Sequence, residues 1–230
     1  MSSPLVAVVV PTLDEERALP GLLDHLATLP GTFEVIVVDG GSADASLAIA
    51  RAHPSRVRVV EGVRGRAEQL NAGAARALGD VLVFQHADSR LPPDAYATLA
   101  RVWREGRLVG GNFALRFEGD DLFARLLSAA YRLQRRLGYY YGDSTLWVRR
   151  EAFERLGGFR CLPVMDDYDF ARRLEAHGPT GCLPGPARTS ARRWRRLGVP
   201  RTVVSWVVIR WLFVLGVAPE RLARLYRPVR

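Results

Sequence analysis

Residues 81–88 read Val81-Leu82-Val83-Phe84-Gln85-His86-Ala87-Asp88, an apolar run ending in a histidine and an aspartate separated by one alanine. Its four apolar residues, with β-branched and aromatic side chains among them, lie between Gly79-Asp80 and Asp88-Ser89. That is the pattern of a short strand buried on both faces. In an extended segment residues i and i+2 share a face, so the sequence predicts that His86 and Asp88 converge on one cation or on the phosphates it carries. The plainer alternative is that Asp88 opens a turn and His86 packs at a strand end.

The same pattern recurs on either side. Leu5 to Val10 is a continuous apolar strand that stops at Pro11-Thr12-Leu13-Asp14-Glu15-Glu16. Glu34 to Val38 is a second strand, delivering Asp39-Gly40-Gly41-Ser42, with Ser42 or Asp44 placed to cap a helix through Arg51. Arg56 to Val60 is a third, leading into a helix that opens at Arg64-Gly65-Arg66 and runs to about Leu78. Helical spacing of Leu19, Leu22, Leu23 and Leu26 fills the first interval. Strands alternating with helices predict right-handed crossovers and a mostly parallel mixed sheet with helices on both faces. Ligands of such sheets bind beyond the carboxyl ends of the strands, where Asp14, Glu15, Asp39 and Asp88 all fall. The first turn is acidic, which excludes a glycine-rich dinucleotide loop or a P-loop.

Downstream, a helix is expected from Asp94 to Trp103, a strand from Val109 to Phe117, and a helix from Asp121 to Leu137 whose polar face carries Arg125, Arg132, Arg135 and Arg136. Tyr139-Tyr140-Tyr141 enters a short strand, Thr145 to Val148, and either walls an acceptor pocket or packs on the preceding helix. Met165-Asp166-Asp167-Tyr168-Asp169 heads a helix reaching His177. The helix dipole favours acids there, but so many adjacent like charges should raise one another's pKa, which suits a general base. Val203 to Val217 is an apolar helix containing Trp206, Arg210 and Trp211. It is too short to span a bilayer comfortably, and either packs on the domain or lies at a membrane interface.

With 230 residues and 48% hydrophobic content the chain can bury one α/β core, expected over residues 1–198, with a C-terminal helical extension over 199–230. The formal charge is +9 and all 33 basic residues are arginine. A P-loop lysine, a Schiff-base lysine and a lysine general base are therefore excluded. Arginine suits phosphorylated ligands, anionic lipid headgroups or nucleic acid, unless codon bias alone explains it. Cys161 and Cys182 are too few for a disulfide framework and no signal peptide precedes the first strand, so a cytoplasmic location is expected.

Taken in order, Pro11-Thr12-Leu13-Asp14-Glu15, Val37-Val38-Asp39-Gly40-Gly41-Ser42, Gly65-Arg66-Ala67, Gln69-Leu70-Asn71-Ala72-Gly73, His86-Ala87-Asp88, Gly157-Gly158-Phe159 and Met165-Asp166-Asp167 resemble glycosyltransferase family 2 over nearly the whole chain. Within it, His86-Ala87-Asp88 and Thr189-Ser190-Ala191-Arg192-Arg193-Trp194 look like the bacterial branch named for arsenosugar biosynthesis. The resemblance implies a single GT-A domain of the nucleotide-diphospho-sugar transferase kind and hexosyltransferase-like, inverting transfer from a UDP- or GDP-sugar to a small-molecule or lipid-linked acceptor. It also implies Mn²⁺ or Mg²⁺ as cofactor; the alternative of the inner face of the membrane rests on the helix from Val203 to Val217.

By that resemblance, Pro11, Thr12 and Glu15 line the base and ribose pocket, Asp39 accepts hydrogen bonds from the base, and Arg66 lies near the ribose or phosphates. Asp88 holds the metal with His86 beside it, Asp167 is the catalytic base with Asp166 facing elsewhere, and Arg192, Arg193 and Trp194 hold the diphosphate or acceptor. Four positions depart from the family's pattern: Asp14 stands for asparagine, Asp166 for glutamate, His86 for the first aspartate, and Ser144 for the glutamine of Gly-Asp-Gln. The rival enzyme is a sugar-phosphate nucleotidyltransferase, which the acidic first turn and the absence of lysine disfavour. The rival of another class is a non-catalytic anion- or membrane-binding protein. Nucleic acid is not expected as a partner, since carboxylates at the strand ends repel phosphate unless a metal intervenes.

Overall fold

The structure, a computed structural model, describes residues 3–55, 57–118, 122–190, 195 and 198–225. Its strands are β1 (Val6–Thr12), β2 (Phe33–Asp39), β3 (Arg58–Val60), β4 (Val81–Phe84), β5 (Ser89–Arg90), β6 (Gly110–Phe117), β7 (Leu146–Arg149) and β8 (Thr180–Thr189), joined in one sheet of order β3-β2-β1-β4-β7-β6-β8-β5. The first four are mutually parallel. β7 runs antiparallel between β4 and β6, and β8 is parallel to β6 and antiparallel to β5. The helices are α1 (Leu19–Thr28), α2 (Ser46–Ala52), α3 (Arg66–Arg76), α4 (Ala95–Glu105), α5 (Leu122–Arg136), α6 (Arg150–Arg155), α7 (Asp166–His177), α8 (Val199–Val214) and α9 (Pro219–Leu225). This is the expected α/β architecture of GT-A type.

The continuous apolar runs are explained by the pleat. Val6, Val8 and Val10 face one core with Leu22 and Leu26 of α1 and Leu99 of α4, while Ala7 and Val9 face a second with Leu70 of α3 and Phe170 and Leu174 of α7. Each fully buried Val, Leu or Phe contributes about 1.5–3 kcal/mol of transfer free energy, so a strand covered on both faces is apolar at every position. α3 lies unusually close to the sheet. A Cβ on Gly73 would come within 2.3 Å of Val9 Cγ1 and 2.9 Å of Val38 Cγ2, which requires glycine there.

Several sequence expectations need correction. β8 was not anticipated, because Pro184, Gly185 and Pro186 interrupt its alternation; the structure accommodates them beside an irregularity in the pairing of β6 between Phe113 and Leu115. The third strand begins at Arg58, and the apolar C-terminal helix starts at Val199 and stops at Val214. α4 extends to Glu105, where Gly106 closes it in the left-handed conformation. Arg135 does not belong to the solvated face of α5. Its guanidinium turns inward to Asn112 Oδ1 at 2.6 Å and Glu175 Oε1 at 3.1 Å, over the ring of Tyr140.

Gly73→Ala should lower unfolding stability by about 1–3 kcal/mol in urea titrations, because two valines of neighbouring strands must move to admit one methyl group. A variant as stable as the parent would show that the helix can lift off the sheet freely.

Candidate active site

The parallel strands end together, and their loops are tied to each other. Thr12 and Asp39 are register partners at the last positions of β1 and β2. From the acidic turn, the Asp14 N–H donates to Ser42 Oγ at 3.0 Å, the Glu15 N–H to Ser46 Oγ at 2.8 Å and the Glu16 N–H to Asp44 Oδ2 at 3.0 Å. Asp14 returns the bond by accepting the Ala43 N–H at 2.8 Å. Asp14 sits at φ +55°, a region that asparagine and aspartate tolerate better than other side chains, so an aspartate can fill the family's asparagine position. The expected cap of α2 by Ser42 or Asp44 is not formed: its N-cap is Ala45, without a side-chain cap, and Asp44 instead accepts the Ser46 N–H at 2.9 Å in the turn before it.

Asp39 is buried and already employed. It accepts N–H bonds from Gly41 at 2.8 Å and Ser42 at 3.0 Å, and the Ser42 hydroxyl. Thr12 is buried beneath the cleft with its hydroxyl turned back to the Val10 carbonyl, whereas Pro11 lines the cleft and Glu15 is half-buried at the head of the turn. Beneath them Gln69 donates to the carbonyls of Thr12 at 2.9 Å and Val38 at 2.7 Å, clamping β1 to β2. Asn71 makes a reciprocal pair with the backbone of Phe159, at 2.8 and 2.9 Å. These two side chains give a physical reason for the Gln69-Leu70-Asn71 motif, which sequence reasoning quoted without assigning a role.

A second strand pairing brings in the remaining groups. β7 runs against β4 with Leu146 opposite Phe84, so the 3₁₀ turn Gly142–Ser144 just before β7 lies at the same edge as Gln85 to Asp88. The head of α7 arrives from the other side. Its Asp166 and Asp167 share one cation: Arg66 makes a two-pronged contact with Asp166 and lies 3.3 Å from Asp167. Asp167 also accepts the N–H groups of Gly142 at 2.9 Å and Tyr168 at 2.8 Å. A Cβ on Gly142 would meet His86 Nε2 at 3.0 Å and Asp167 Oδ2 at 3.1 Å, which puts the imidazole and the carboxylate together over one face of this glycine. Pro11, Arg66, Phe84, His86, Gly142 and Asp167 line one narrow cleft.

The electrostatics divide two aspartates. Burial alone would raise the pKa of Asp167, but Arg66, the two N–H donors and His86 outweigh it and hold the carboxyl below its usual range. Asp143 is pushed up, first by burial and then by the Asp167 and Asp88 carboxylates, against the pull of His86. The expectation that neighbouring acids raise Asp167 is therefore reversed, because a shared arginine intervenes. Asp166 does not face elsewhere either, since both residues meet Arg66.

The convergence of His86 and Asp88 through an extended segment is also corrected: β4 stops at Phe84 and the chain turns, with the Ser89 N–H bonded to the His86 carbonyl at 3.1 Å. His86 lines the cleft, and Asp88 is near enough to act on Asp143. Among the described residues no cluster of three or more His, Cys, Asp or Glu side chains forms a metal cage. A lone carboxylate such as Asp88 fits a hard divalent cation only where phosphate and water supply most of the ligands. Arg192, Arg193 and Trp194 lie outside the described residues, but Thr189, just before them, pairs with Ser89 in the β5–β8 ladder.

Tyr139 and Tyr141 both stack on Tyr168, with centroids 6.3 and 5.7 Å apart, and Tyr140 enters the core. Burial pushes the Tyr141 hydroxyl up to about 12, so it stays protonated at neutral pH.

Residues 7–161 match the family described as Glycosyl transferase family 2. The chain belongs to this family. An undecaprenyl-phosphate 4-deoxy-4-formamido-L-arabinose transferase of Yersinia pestis (strain Pestoides F) is 29% identical to this family member over 205 residues, covering 84% of this chain and 58% of the relative. The chain thus spans less than two thirds of the curated relatives' length. Mannosyltransferase PcManGT from Pyrobaculum calidifontis, solved with GDP-Man and Mn²⁺, superposes with a TM-score of 0.68 at 22% identity, over 98% of this chain and 69% of that one. S. aureus TarS 1-349, solved with UDP-GlcNAc, gives 0.68 at 18% identity, over 82% and 59%. At these identities the likeness is one of fold.

The opposite shifts of the two aspartates give opposite signs for stability. Asp167, with its folded pKa lowered, stabilises the fold above the ordinary aspartate range and loses that contribution as pH falls through its folded value. Asp143, with its folded pKa raised, favours the fold at acid pH and loses that contribution as pH rises through its folded value. In thermal melts at neutral pH, Asp167→Asn should cost about 1–3 kcal/mol through its lost charge-assisted bonds, whereas Asp143→Asn should raise the midpoint. Shifts of the same sign would refute this division.

Proposed function

We propose that this chain transfers a sugar from a nucleoside diphosphate donor, a UDP- or GDP-sugar, to an acceptor oxygen with inversion at the anomeric carbon. The observation that carries the reading is Asp167, an ionised carboxylate fixed by Arg66 and the Gly142 N–H in a cleft at the strand ends, with His86 facing it. The GDP-Man and Mn²⁺ bound by PcManGT and the UDP-GlcNAc bound by TarS support the donor class. We assign residues 1–198 to the transferase domain and 199–230 to a helical extension.

In this reading Pro11, Thr12 and Glu15 form the nucleoside end of the cleft, and Asp39 keeps its turn shaped while presenting its remaining lone pairs to the base. Arg66 holds Asp166 and Asp167 in place beside the sugar. Asp88, with His86 next to it, would hold Mn²⁺ or Mg²⁺, which when bound supplies neutralisation of the diphosphate charge. We place Arg192, Arg193 and Trp194 at the diphosphate or acceptor. Asp167 orients the acceptor oxygen opposite the nucleotide and takes its proton where it has one. The runs at 86–88 and 189–194 support the branch named for arsenosugar biosynthesis.

The lowered pKa of Asp167 favours a second reading of the acceptor. A general base works best with a pKa near the operating pH, and this carboxylate is held well away from it. A phosphate acceptor is already ionised and needs no base. The Yersinia relative, named for undecaprenyl phosphate, supports an acceptor of that type, lipid-linked and used at a membrane surface.

Calorimetry with UDP- and GDP-sugars should show binding that strengthens with Mn²⁺, and Asp88→Ala should remove only the Mn²⁺-dependent gain. An unchanged gain in that variant would end the Asp88 assignment. Single-turnover transfer at saturating donor tests Asp167. With a hydroxyl acceptor, Asp167→Asn should lose on the order of a hundredfold to ten-thousandfold in rate, while with a phosphate acceptor the loss should stay within about tenfold. Parental rates with both acceptors would remove Asp167 from the mechanism.

A further inference from the structure

α5 has two apolar faces, only one of which is used by the fold. Phe123, Ala124, Leu127 and Tyr131 pack with Leu115 and Phe117 of β6, against Trp206 of α8. On the other side Leu122, Leu126, Leu133 and, just past its end, Leu137 are 59–69% exposed. Their spacing of four, seven and four residues makes one stripe along the helix, with the exposed Arg125, Arg132 and Arg136 along one flank. α8 is built alike. Thr202 and Ile209 are buried, while Val204, Val207, Val208, Trp211, Val214 and Leu215 are exposed. Trp206, only half-buried, packs between α8 and α5.

We propose that α5 and α8 together are a docking face for an anionic lipid bilayer. Neither helix contains an aspartate or glutamate, so the stripes carry apolar surface and positive charge alone. An apolar stripe flanked by arginine is how a helix lies in the headgroup boundary, with side chains among the acyl chains and guanidinium groups on phosphate. No helix among the described residues is long and apolar enough to cross a membrane, so the contact is with one surface. A second copy of the chain fits less well. It would bring these arginines against their own images, with no acid in either helix to receive them. The face is argued from the two helices and does not rest on the transfer reading.

The full chain should co-sediment with vesicles of phosphatidylcholine and phosphatidylglycerol in equal parts, more weakly with pure phosphatidylcholine, and less as salt rises. Leu126→Glu with Leu133→Glu should weaken binding more than about tenfold, and Trp211→Glu should also weaken it. Replacing Arg125, Arg132 and Arg136 by glutamine should weaken it by about fivefold per arginine, whereas Arg51→Gln, an exposed arginine on α2, should leave it unchanged. All these positions are exposed, and circular dichroism checks that the variants fold. No binding of the parent at low salt, or binding unaffected by the leucine and arginine substitutions, overturns the proposal. So does light scattering that shows a dimer broken by the leucine substitutions in a chain that ignores vesicles. No sugar donor is present, so failure here leaves the transferase reading standing, and failure of transfer leaves this face standing.

Discussion

Arg66 is the constraint on which the edge of the sheet depends. It opens α3 and reaches across 100 positions of sequence to the first turn of α7, where Asp166 is buried and Asp167 nearly so. Two adjacent carboxylates out of water repel each other; one shared guanidinium offsets that repulsion and fixes the angle between two helices. Breaking such a pair from one side typically costs about 3–5 kcal/mol, because the other charge stays behind. The same contact gives Asp167 its depressed pKa and aims it at Gly142 and His86. Stability and site geometry are therefore two consequences of one ion pair, and neither can be altered alone.

The all-arginine composition has an explanation within the fold. Arg150 donates to the carbonyls of Gly79 and Ala77, closing the end of α3, and Arg149 donates to those of Leu108 and Trp103 near the end of α4. Arg173 bonds Asp169 and the carbonyls of Leu156 and Gly158. A fork with five donors can satisfy several carbonyls at a helix end, where a lysine would bring a point charge. These three arginines therefore spend their donors on the fold, while Arg66 at the cleft and the exposed arginines of α5 are among those left to meet ligands.

Four parallel strands were legible because burial on both faces leaves nothing but apolar residues between two turn signals, as at Val81 to Phe84. The carboxylates were legible because parallel strands must end at one edge. β8 was not, since its prolines and glycine are turn residues in any local reading and only its partners β6 and β5 make it a strand. Asp143 was missed as a site group for a similar reason. Nothing near it in sequence is acidic, and it meets Asp88 and Asp167 only because β7 runs antiparallel to β4. The direction of the Asp167 shift was misread because spacing displays the neighbouring acids and hides an arginine a hundred residues away. The exposed leucines of α5 escaped notice because a helical period says which residues share a face and not which face the core takes.

Three residues other than glycine adopt positive φ among those described, and all adjoin the cleft: Asp14 at +55°, Thr145 at +53° and Met165 at +64°. Asp14 is tolerated there, but a β-branched threonine and a methionine are not, and each such conformation costs of order 1–3 kcal/mol. They persist because their surroundings hold them. Thr145 is fully buried after the Gly142–Ser144 turn, and its N–H bonds the Gly142 carbonyl at 2.9 Å; Met165 precedes the aspartates anchored by Arg66. Relaxing Thr145 would swing Gly142 away from Asp167, and relaxing Met165 would rotate the first turn of α7 and its two carboxylates. The strain is therefore concentrated in the two loops that aim groups at one point, as expected if the cleft is set in its working geometry by folding and not by the ligand.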